Sequence, residues 1–231
     1  MRLLCLLLLA LAALSAADGP RSTIPVEKPK NRHEELLKVA KAGKVDLLFI
    51  GDSITAGWEK TGKAAWQQHF APLKAATLGD PGDRTENLLW RLRNGELEGL
   101  RPKLAVLMIG TNNVNDTPQD VVLGIQANIT EIQTRCPGTR ILLLGIFPRS
   151  ERPDAARARN EAVNRLLPPL ANAKDPKRVV YLDISSSFLA KDQTLLKDLF
   201  SDSVHPNAKG YQAWAEAIID TVKIQMAAPP R

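Results

Sequence analysis

The sequence contains few residues of the kinds that cross-link small proteins or bind metals. Of its 231 residues, two are cysteines and three are histidines. Cys5 lies in an apolar stretch near the N-terminus, so a chain that loses this stretch keeps only Cys136 and cannot form an internal disulfide. His33, His69 and His205 lack the paired spacing of a metal site. We therefore expect neither a disulfide-stapled fold nor a bound metal, and no cofactor.

Aromatic residues are also scarce, at 5% of the chain, although the formal net charge is +6. The basic residues are interspersed with acidic ones, as in RARNEAVNRLL, and do not form a block. Mixed charges of this kind are typical of a solvated surface, and binding of unpaired bases requires aromatic side chains for stacking. The composition therefore argues against a nucleic-acid partner.

The first seventeen residues have the layout of a secretory signal peptide. Arg2 precedes an apolar stretch from Leu3 to Leu14, and small residues follow at 15–17. The stretch is too short for a comfortable membrane span. We expect residues 1–17 to be removed, which predicts a secreted or periplasmic protein with no stable membrane insertion. An uncleaved anchor is the alternative.

The rest of the chain predicts one α/β domain. Residues 18–32 contain three prolines and indicate an extended lead-in, and residues 33–226 alternate between strand-like apolar runs and helical patterns. The predicted strands are 45–50, 75–78, 104–109, 141–146 and 179–182. The predicted helices are 33–42 with Gly43 as C-cap, 85–93, 117–135, 154–170 and 206–226, the last started by Pro206. This alternation favours a parallel sheet of about five strands, covered by helices on both faces.

Polar loops follow the predicted strands, where reactive groups gather in open parallel sheets. Ser53, in FIGDSITAG, comes directly after the first strand and is either a helix cap or a nucleophile, and we expect its neighbour Asp52 to be a structural hydrogen-bond acceptor. A serine nucleophile needs a base, normally a histidine oriented by a carboxylate. His205 and Asp202, in SDSVHPNAKG, have the spacing for such a pair. Alone, the same spacing also fits a capping aspartate and a surface histidine.

Four blocks in order resemble a known family. The sequence lacks the GxSxG elbow of the α/β-hydrolases, because Thr55 stands two residues after Ser53. Instead, GDS, PGDRTENLLWRL, GTNN and DSVH resemble the SGNH (GDSL-type) hydrolases, especially the branch of the platelet-activating-factor acetylhydrolase catalytic subunits. The similarity covers about Val45 to Gly210, including LLWRLRNGELEGLRPKLAVLMIGTNN and PRSERPDAARARNEAVN. It implies a flavodoxin-like, three-layer α/β/α sandwich, and it is compatible with a homodimer.

The resemblance also implies roles for individual residues. Ser53 corresponds to the nucleophile, His205 to the base and then acid, and Asp202 to the group that orients the imidazole. The oxyanion hole corresponds to the backbone N–H groups of Ser53 and Gly82 and the side-chain amide of Asn112. Glycine lets the backbone approach closely, and an asparagine amide donates a hydrogen bond without a titrating charge. In isolation, Gly82 and Asn112 also fit ordinary turns.

The loop TLGDPGD departs from the family pattern. Thr77 replaces the usual asparagine, and Asp80 and Pro81 replace apolar and small residues. We expect Asp80 to lie at the pocket mouth, where its charge disfavours anionic substrates or raises the pKa of the base. Asp80, Trp58 and Arg149 are the candidate substrate-binding residues, although for Trp58 the sequence favours core packing.

The function expected from these observations is that of a secreted serine esterase acting on a small ester substrate. The resemblance favours a short acyl group such as acetyl, and export favours an acetylated carbohydrate. A lysophospholipase or short-chain lipase is an alternative, although the blocks are not separated by a long apolar insertion of the kind that forms a lid. A second alternative is a non-catalytic sugar- or lipid-binding module, which the altered TLGDPGD loop supports and the intact serine, aspartate and histidine oppose.

Overall fold

The computed structural model describes residues 19–30, 32–171 and 178–228, so the expected signal peptide at 1–17 lies outside the described residues. The strands are β1 (Leu47–Gly51), β2 (Ala75–Gly79), β3 (Leu104–Met108), β4 (Arg140–Leu144) and β5 (Val179–Leu182). The α-helices are α1 (His33–Ala42), α2 (Ser53–Ala56), α3 (Lys63–His69), α4 (Thr85–Arg91), α5 (Pro118–Arg135), α6 (Ala155–Leu166), α7 (Pro168–Ala171) and α8 (Ala208–Ala227). Short 3₁₀ helices occur at Arg21–Thr23, Gly57–Glu59, Ala71–Leu73, Ser185–Phe188 and Lys197–Leu199, and a π-type turn follows α4 at Leu92–Glu96.

The five strands form one parallel sheet in the order β2-β1-β3-β4-β5. In the centre of the sheet, Leu48 of β1 pairs with Ala76 of β2 on one side and with Ala105 of β3 on the other. Every residue of β1 and β3 is buried. Strands buried on both faces need continuous apolar sequences, which these runs supply. The predicted parallel α/β sheet is confirmed.

Helices cover the sheet on both faces and give it three layers. Leu48 belongs to one apolar cluster, which includes residues of α1, α4, α5 and α6. Its neighbours Leu47 and Phe49 belong to a second cluster, which includes residues of α2, α3 and α8. Successive side chains of a strand point to opposite faces, so this division identifies the α/β/α sandwich expected from the resemblance.

Two helix boundaries differ from the sequence-based expectations. The last helix begins at Ala208, because the Asn207 side chain caps it by accepting the backbone N–H groups of the next turn; Pro206 therefore precedes the helix and does not start it. The helix predicted over 154–170 divides into α6 and α7. Pro168 marks the division, since proline supplies no backbone N–H to continue a helix.

The lead-in is docked along the domain. Ser22 is buried, its hydroxyl donates to the Asp120 carbonyl, and its own carbonyl accepts from the Thr85 hydroxyl at 3.0 Å. Further along, the Val26 N–H donates to the Glu86 carbonyl at 3.1 Å. The extended segment expected from its prolines is therefore a packed part of the structure in residues 19–30.

Three features of the described part of the chain bear on function. No helix there is long and apolar enough to cross a bilayer. No three His, Cys, Asp or Glu side chains there form a group that could hold a metal ion. Cys136 is a buried free thiol whose sulfur lies 3.6 Å from the Leu100 carbonyl oxygen, so it is not exposed for a bridge to another chain.

Candidate active site

Ser53 is the first residue of α2, directly after the turn that leaves β1 at the carboxyl edge of the sheet. β1 ends at Gly51, and Asp52 caps the next helix by accepting the Ile54 N–H at 2.9 Å. The turn requires glycine at position 51, because a Cβ there would lie 2.3 Å from the Met108 carbonyl oxygen. This close contact with β3 fixes the position from which the Ser53 side chain extends.

Ser53, His205 and Asp202 form a continuous chain of hydrogen bonds. Ser53 Oγ lies 2.9 Å from His205 Nε2, and His205 Nδ1 lies 2.8 Å from Asp202 Oδ2. The other carboxylate oxygen of Asp202 accepts the backbone N–H groups of Val204 and His205, at 2.6 and 2.7 Å. Asp202 therefore holds both the imidazole ring and the backbone that carries it.

The state of Asp202 determines the tautomer of His205. Partial burial acts to raise the pKa of this carboxyl, but the hydrogen bonds from His205 and Val204 outweigh it and hold the pKa below its ordinary value. An ionised carboxylate only accepts hydrogen bonds, so we assign the ring proton to Nδ1 of His205. Nε2 is then able to accept the Ser53 hydroxyl proton, which is the arrangement of a general base.

Asp52 is a second carboxyl group, directly before Ser53 in the chain. It is 1% exposed, and in the turn it accepts the Ile54 N–H, as expected for a structural acceptor. Burial raises the pKa of Asp52 to about 7, and the charge of Asp83 adds to this shift. The protonation of a group next to Ser53 therefore changes close to neutral pH.

Gly82 lies in a tight turn directly after β2. The Asp83 N–H donates to the Asp80 carbonyl at 3.2 Å, and Gly82 has a φ of +82°. With Pro81 at the second position, whose φ is fixed near −65°, this is a type II turn. A Cβ on Gly82 would meet no protein atom within 4 Å. Glycine is therefore required here by the positive φ, and not by crowding within the protein.

The two adjacent asparagines after β3 have different partners. Asn112 is partly exposed, and its Nδ2 donates one hydrogen bond to the Asp83 carbonyl at 2.9 Å. An amide nitrogen carries two N–H bonds, so a second donor remains for a ligand. Asn113 is fully buried, accepts the Thr85 N–H at 3.0 Å and donates to Glu86 at 3.0 Å. Asn113 therefore joins the loop to α4, and Asn112 is the member of the pair that is accessible to a ligand.

A buried ion network beneath the turn has no counterpart among the sequence-based predictions. Arg91 is 1% exposed, its Nε donates to Asp83 Oδ2 at 2.7 Å, and its guanidinium also pairs with Glu96. It further donates to the Leu78 carbonyl at the end of β2, at 3.2 Å. A signal for this network was present in the sequence, because Arg91 occupies a core position of the helical pattern TENLLWRL. Charged residues are seldom buried unless paired, so this position indicates a buried acidic partner.

The structure corrects the expectation for Asp80. Its side chain is 2% exposed, Oδ1 lies 2.8 Å from Lys28 Nζ, and Oδ2 accepts the Arg32 N–H at 2.9 Å. The carboxylate is covered and paired with a cation from the lead-in. It therefore does not project into the pocket mouth as an uncompensated charge, and the expected role in substrate binding is wrong.

Trp58 packs in the core, the role that the sequence favoured over its candidate contact with substrate. Trp58 is 1% exposed, and its ring centroid lies 4.7 Å from those of Tyr211 and Trp214 and 5.9 Å from that of Phe49. These rings belong to the apolar cluster between the sheet and α8. The 3₁₀ helix after α2 turns Trp58 inward, so its role is core packing.

Arg149 lies between two loops that carry the site. Its Nη1 donates to the carbonyl of Thr111, the residue before Asn112, at 3.3 Å. The N–H of Ser150 donates to the carbonyl of Ser203, the residue after Asp202, at 2.8 Å. The Nε of Arg149 is buried without a hydrogen-bond partner in the described part of the protein. This position leaves Arg149 as a candidate substrate-binding residue.

Comparisons with known proteins agree with this architecture. The model of the GDSL-like lipase/acylhydrolase family matches residues 49–213. The alpha2 subunit of platelet-activating factor acetylhydrolase IB from Homo sapiens is 38% identical over 186 residues, which cover 78% of this chain and 77% of that protein.

Two solved structures share the fold. A GDSL-like lipase from Bacteroides thetaiotaomicron superimposes with a TM-score of 0.68 and 18% identity, covering 84% of this chain and 98% of that one. A carbohydrate esterase family 3 protein from Talaromyces cellulolyticus gives a TM-score of 0.60 and 20% identity, covering 79% of this chain and 98% of that one. Together with the family match, these likenesses show that the chain belongs to the GDSL-like lipase/acylhydrolase family and is an esterase-type hydrolase.

Proposed function

We propose that the protein is a serine esterase that removes short acyl groups, acetyl above all, through an acyl-enzyme on Ser53. The observation that carries the proposal is the chain of hydrogen bonds from Ser53 through His205 to Asp202. The side chains of His205 and Asp202 are 42% and 56% exposed, so a substrate in solution has access to them. The lowered pKa of Asp202 keeps it ionised and suited to stabilising an imidazolium.

The proposed reaction has two halves. Ser53 Oγ bonds to the ester carbonyl carbon while His205 Nε2 takes the hydroxyl proton, and the carbonyl electron pair moves to oxygen. The N–H groups of Ser53 and Gly82 and the Asn112 amide receive that oxyanion. The bond to the alcohol then breaks as His205 returns the proton to the leaving oxygen. In the second half, water gives its proton to His205, attacks the acyl-enzyme and releases the carboxylic acid and Ser53.

An acetylated carbohydrate is the first substrate class in this proposal. The relative of 38% identity is named an acetylhydrolase, which favours an acetyl group. The carbohydrate esterase neighbour indicates that this fold admits a sugar ester. The signal-like residues 1–17 favour a secreted or periplasmic protein, whose substrate would lie outside the cytoplasm, where such esters are accessible.

A lipid ester, as in a lysophospholipase or short-chain lipase, is the second candidate, and of the two substrates only the lysophospholipid carries a phosphate. Arg149 and Arg159 donate to the same carbonyl, that of Thr111, at 3.3 and 3.5 Å. Burial lowers the pKa of Arg159, and the neighbouring charge of Arg149 lowers it further, against the opposing effect of Asp116. Two cations that converge on one neutral oxygen leave positive charge beside the site, which suits a phosphate group.

The test is hydrolysis of p-nitrophenyl acetate, butyrate and octanoate by the wild type, Ser53→Ala and the exposed control Ser186→Ala. We expect acetate to be turned over fastest, with a loss of at least about 10³-fold in Ser53→Ala and no change in the control. An acetylated oligosaccharide and an acetylated glycerophospholipid then distinguish the two alcohols. Negligible rates on every ester would instead support a binding module that retains the fold.

A further inference from the structure

We propose that Lys28, in the N-terminal lead-in, is a positioning residue that sets the direction of the Gly82 N–H. The inference rests on the proposed function, in which this N–H receives the oxyanion. It assigns a role in the reaction to the lead-in, which lies before residues 49–213, the region that the family model matches. Nothing in the spacing of the catalytic motifs indicates such a contribution.

The ammonium group of Lys28 is held by three acceptors on one turn. Lys28 Nζ lies 2.8 Å from Asp80 Oδ1, 2.8 Å from the Pro81 carbonyl oxygen and 2.7 Å from Asp83 Oδ1. An ammonium carries three N–H donors, so this one turn can engage them all. The Lys28 side chain is 19% exposed, and both carboxylates are nearly fully buried, which limits screening of the two ion pairs by water, whereas the contact with the Pro81 carbonyl is exposed.

The contact with Pro81 acts on the proposed oxyanion donor itself. The Pro81 carbonyl and the Gly82 N–H belong to the same peptide group, which is trans and planar, so the two bonds point in opposite directions. A cation that fixes the carbonyl on one side therefore fixes the N–H on the other. Among the residues that the structure describes, none accepts a hydrogen bond from the Gly82 N–H. The donor is thus oriented through its carbonyl and remains available to a ligand.

Without this contact the turn has an alternative conformation. Type I and type II turns differ mainly in the orientation of their central peptide, and proline at the second position is compatible with both. In the type II form seen here, the Pro81 carbonyl points at Lys28. A charge-assisted hydrogen bond to that carbonyl stabilises type II over the flipped peptide, and it also polarises the peptide so that its N–H becomes a stronger donor.

Lys28 is itself held in place from both sides. Before it, the Asn87 side chain donates to the Val26 carbonyl at 3.0 Å. After it, the Arg32 N–H donates to Asp80 at 2.9 Å, and the Arg32 guanidinium donates to the Gly79 carbonyl at 3.2 Å. The lead-in therefore presents Lys28 from a fixed backbone. Asp80, which the sequence suggested as a substrate contact, serves to attach the lead-in to the turn.

The test compares Lys28→Met with Lys30→Met, a matched change at an exposed lysine two residues away. Loss of a complete oxyanion donor lowers kcat by about 10²–10³-fold, and a donor that is only misdirected should lower it by about 10- to 100-fold. We expect that loss in Lys28→Met, with KM for p-nitrophenyl acetate within about twofold of the wild type and with Lys30→Met unaffected. Lys28→Arg, which keeps a cation, should recover part of kcat.

A trifluoromethyl ketone separates this role from a general loss of structure. Its hemiketal adduct with Ser53 places an oxyanion in the same hole. We expect its affinity to fall by the same factor as kcat, since both report stabilisation of that charge. The Lys28→Met/Asp80→Asn double variant should remain impaired, because neutralising Asp80 does not restore the contact to the Pro81 carbonyl. Recovery of kcat in the double variant would overturn the proposal, as would an unchanged kcat in folded Lys28→Met.

The Gly82 amide resonance provides a readout that does not depend on activity. We expect a single ¹⁵N–¹H peak in the wild type and in Lys30→Met, and a shifted or exchange-broadened peak in Lys28→Met. If the wild type hydrolyses no ester, the proposed function fails, and the Gly82 peak still tests the orienting contact. If the wild type is active and the Gly82 peak is the same in all variants, the positioning role fails while the proposed function stands. Should Lys28→Met not fold, Lys28→Arg and Lys28→Gln are compared in the same way.

Discussion

The side-chain amide of Asn112 donates to the carbonyl oxygen of Asp83, at 2.9 Å. Asp83 closes the turn that carries Gly82. This bond therefore joins two proposed oxyanion donors, Gly82 in the loop after β2 and Asn112 in the loop after β3. The carboxylate of Asp83 is in turn held by buried Arg91 at 2.7 Å. Both donors are therefore tied by hydrogen bonds to a buried ion pair, which favours the fixed orientation that stabilisation of a developing charge requires.

Substituting the two neighbouring asparagines should affect different properties, catalysis for Asn112 and stability for Asn113. Asn112→Ala removes a proposed oxyanion donor, and we expect kcat to fall by about 10²–10³-fold with little change in stability. Asn113→Ala breaks buried hydrogen bonds to α4, and we expect a loss of about 1–3 kcal/mol in the free energy of unfolding. Steady-state kinetics and urea unfolding of both variants check this. A stable Asn112→Ala enzyme with wild-type kcat would contradict the proposed oxyanion hole.

Asp202→Asn should inactivate the enzyme without unfolding it. An asparagine side chain can donate to His205 Nδ1, which would leave the ring proton on Nε2 and prevent it from accepting the Ser53 proton. We expect kcat at neutral pH to fall by about 10⁴-fold. The exposed Asp198→Asn is the control. A loss of less than about tenfold would show that Asp202 is not the orienting carboxylate.

Asp52 should make stability depend on pH. Its folded-state pKa is raised by burial from 3.8 to about 7, so the folded protein holds more protons than the unfolded chain between these values. The contribution of Asp52 to stability therefore decreases as pH rises from about 4 to 7, by at most about 4 kcal/mol, and is constant above that range. Asp52→Asn removes this pH-dependent loss of stability. The gain in unfolding free energy of the variant over the wild type should therefore be larger at pH 8 than at pH 5.

Urea unfolding at pH 5 and pH 8 measures that difference directly. Asp183→Asn is a matched control, because Asp183 also accepts the N–H two residues later, from Ser185 at 2.8 Å, but is exposed. We expect the stability change in the control to be the same at both pH values. An equal change at both pH values in Asp52→Asn would mean that this carboxyl does not titrate between them.

Trp58→Phe and Trp58→Ala should affect folding more than catalysis. Removing a fully buried indole leaves a cavity, and we expect Trp58→Ala to lose about 3–5 kcal/mol of stability, with a smaller loss in Trp58→Phe. KM for p-nitrophenyl acetate should stay within about twofold in Trp58→Phe. Thermal unfolding and initial rates provide the comparison. A raised KM in a Trp58→Phe protein of wild-type stability would restore the substrate-binding role.

Arg149→Met tests whether the positive charge beside Thr111 recognises an anionic alcohol. We expect KM for a phosphate-bearing acetyl ester to rise by about 10- to 100-fold, since charged hydrogen bonds contribute about 1.5–3 kcal/mol. KM for a neutral acetyl ester should be unchanged, and exposed Arg152→Met should alter neither. Equal losses on both esters would indicate that Arg149 only supports the loops around it.

Most of the secondary structure follows from local sequence. Each observed strand begins and ends within two residues of its predicted position, because continuous apolar runs suit only a sheet that is buried on both faces. The first helix ends where expected, with Gly43 at a φ of +70°. The residues of the hydrogen-bonded chain were also identifiable, since serine, histidine and aspartate occur in short motifs whose order is characteristic of a family.

The partners of charged and aromatic side chains did not follow from the local sequence. Asp80 looked like an exposed charge in a polar loop, yet it pairs with Lys28, 52 residues earlier. Trp58 was a candidate contact for substrate, yet it is enclosed by rings from α8. Local patterns report the preferences of the backbone, whereas burial and ion pairing depend on which distant segments the fold brings together. For this protein, motif order points to the proposed reacting groups, and long-range packing positions the proposed oxyanion donors around them.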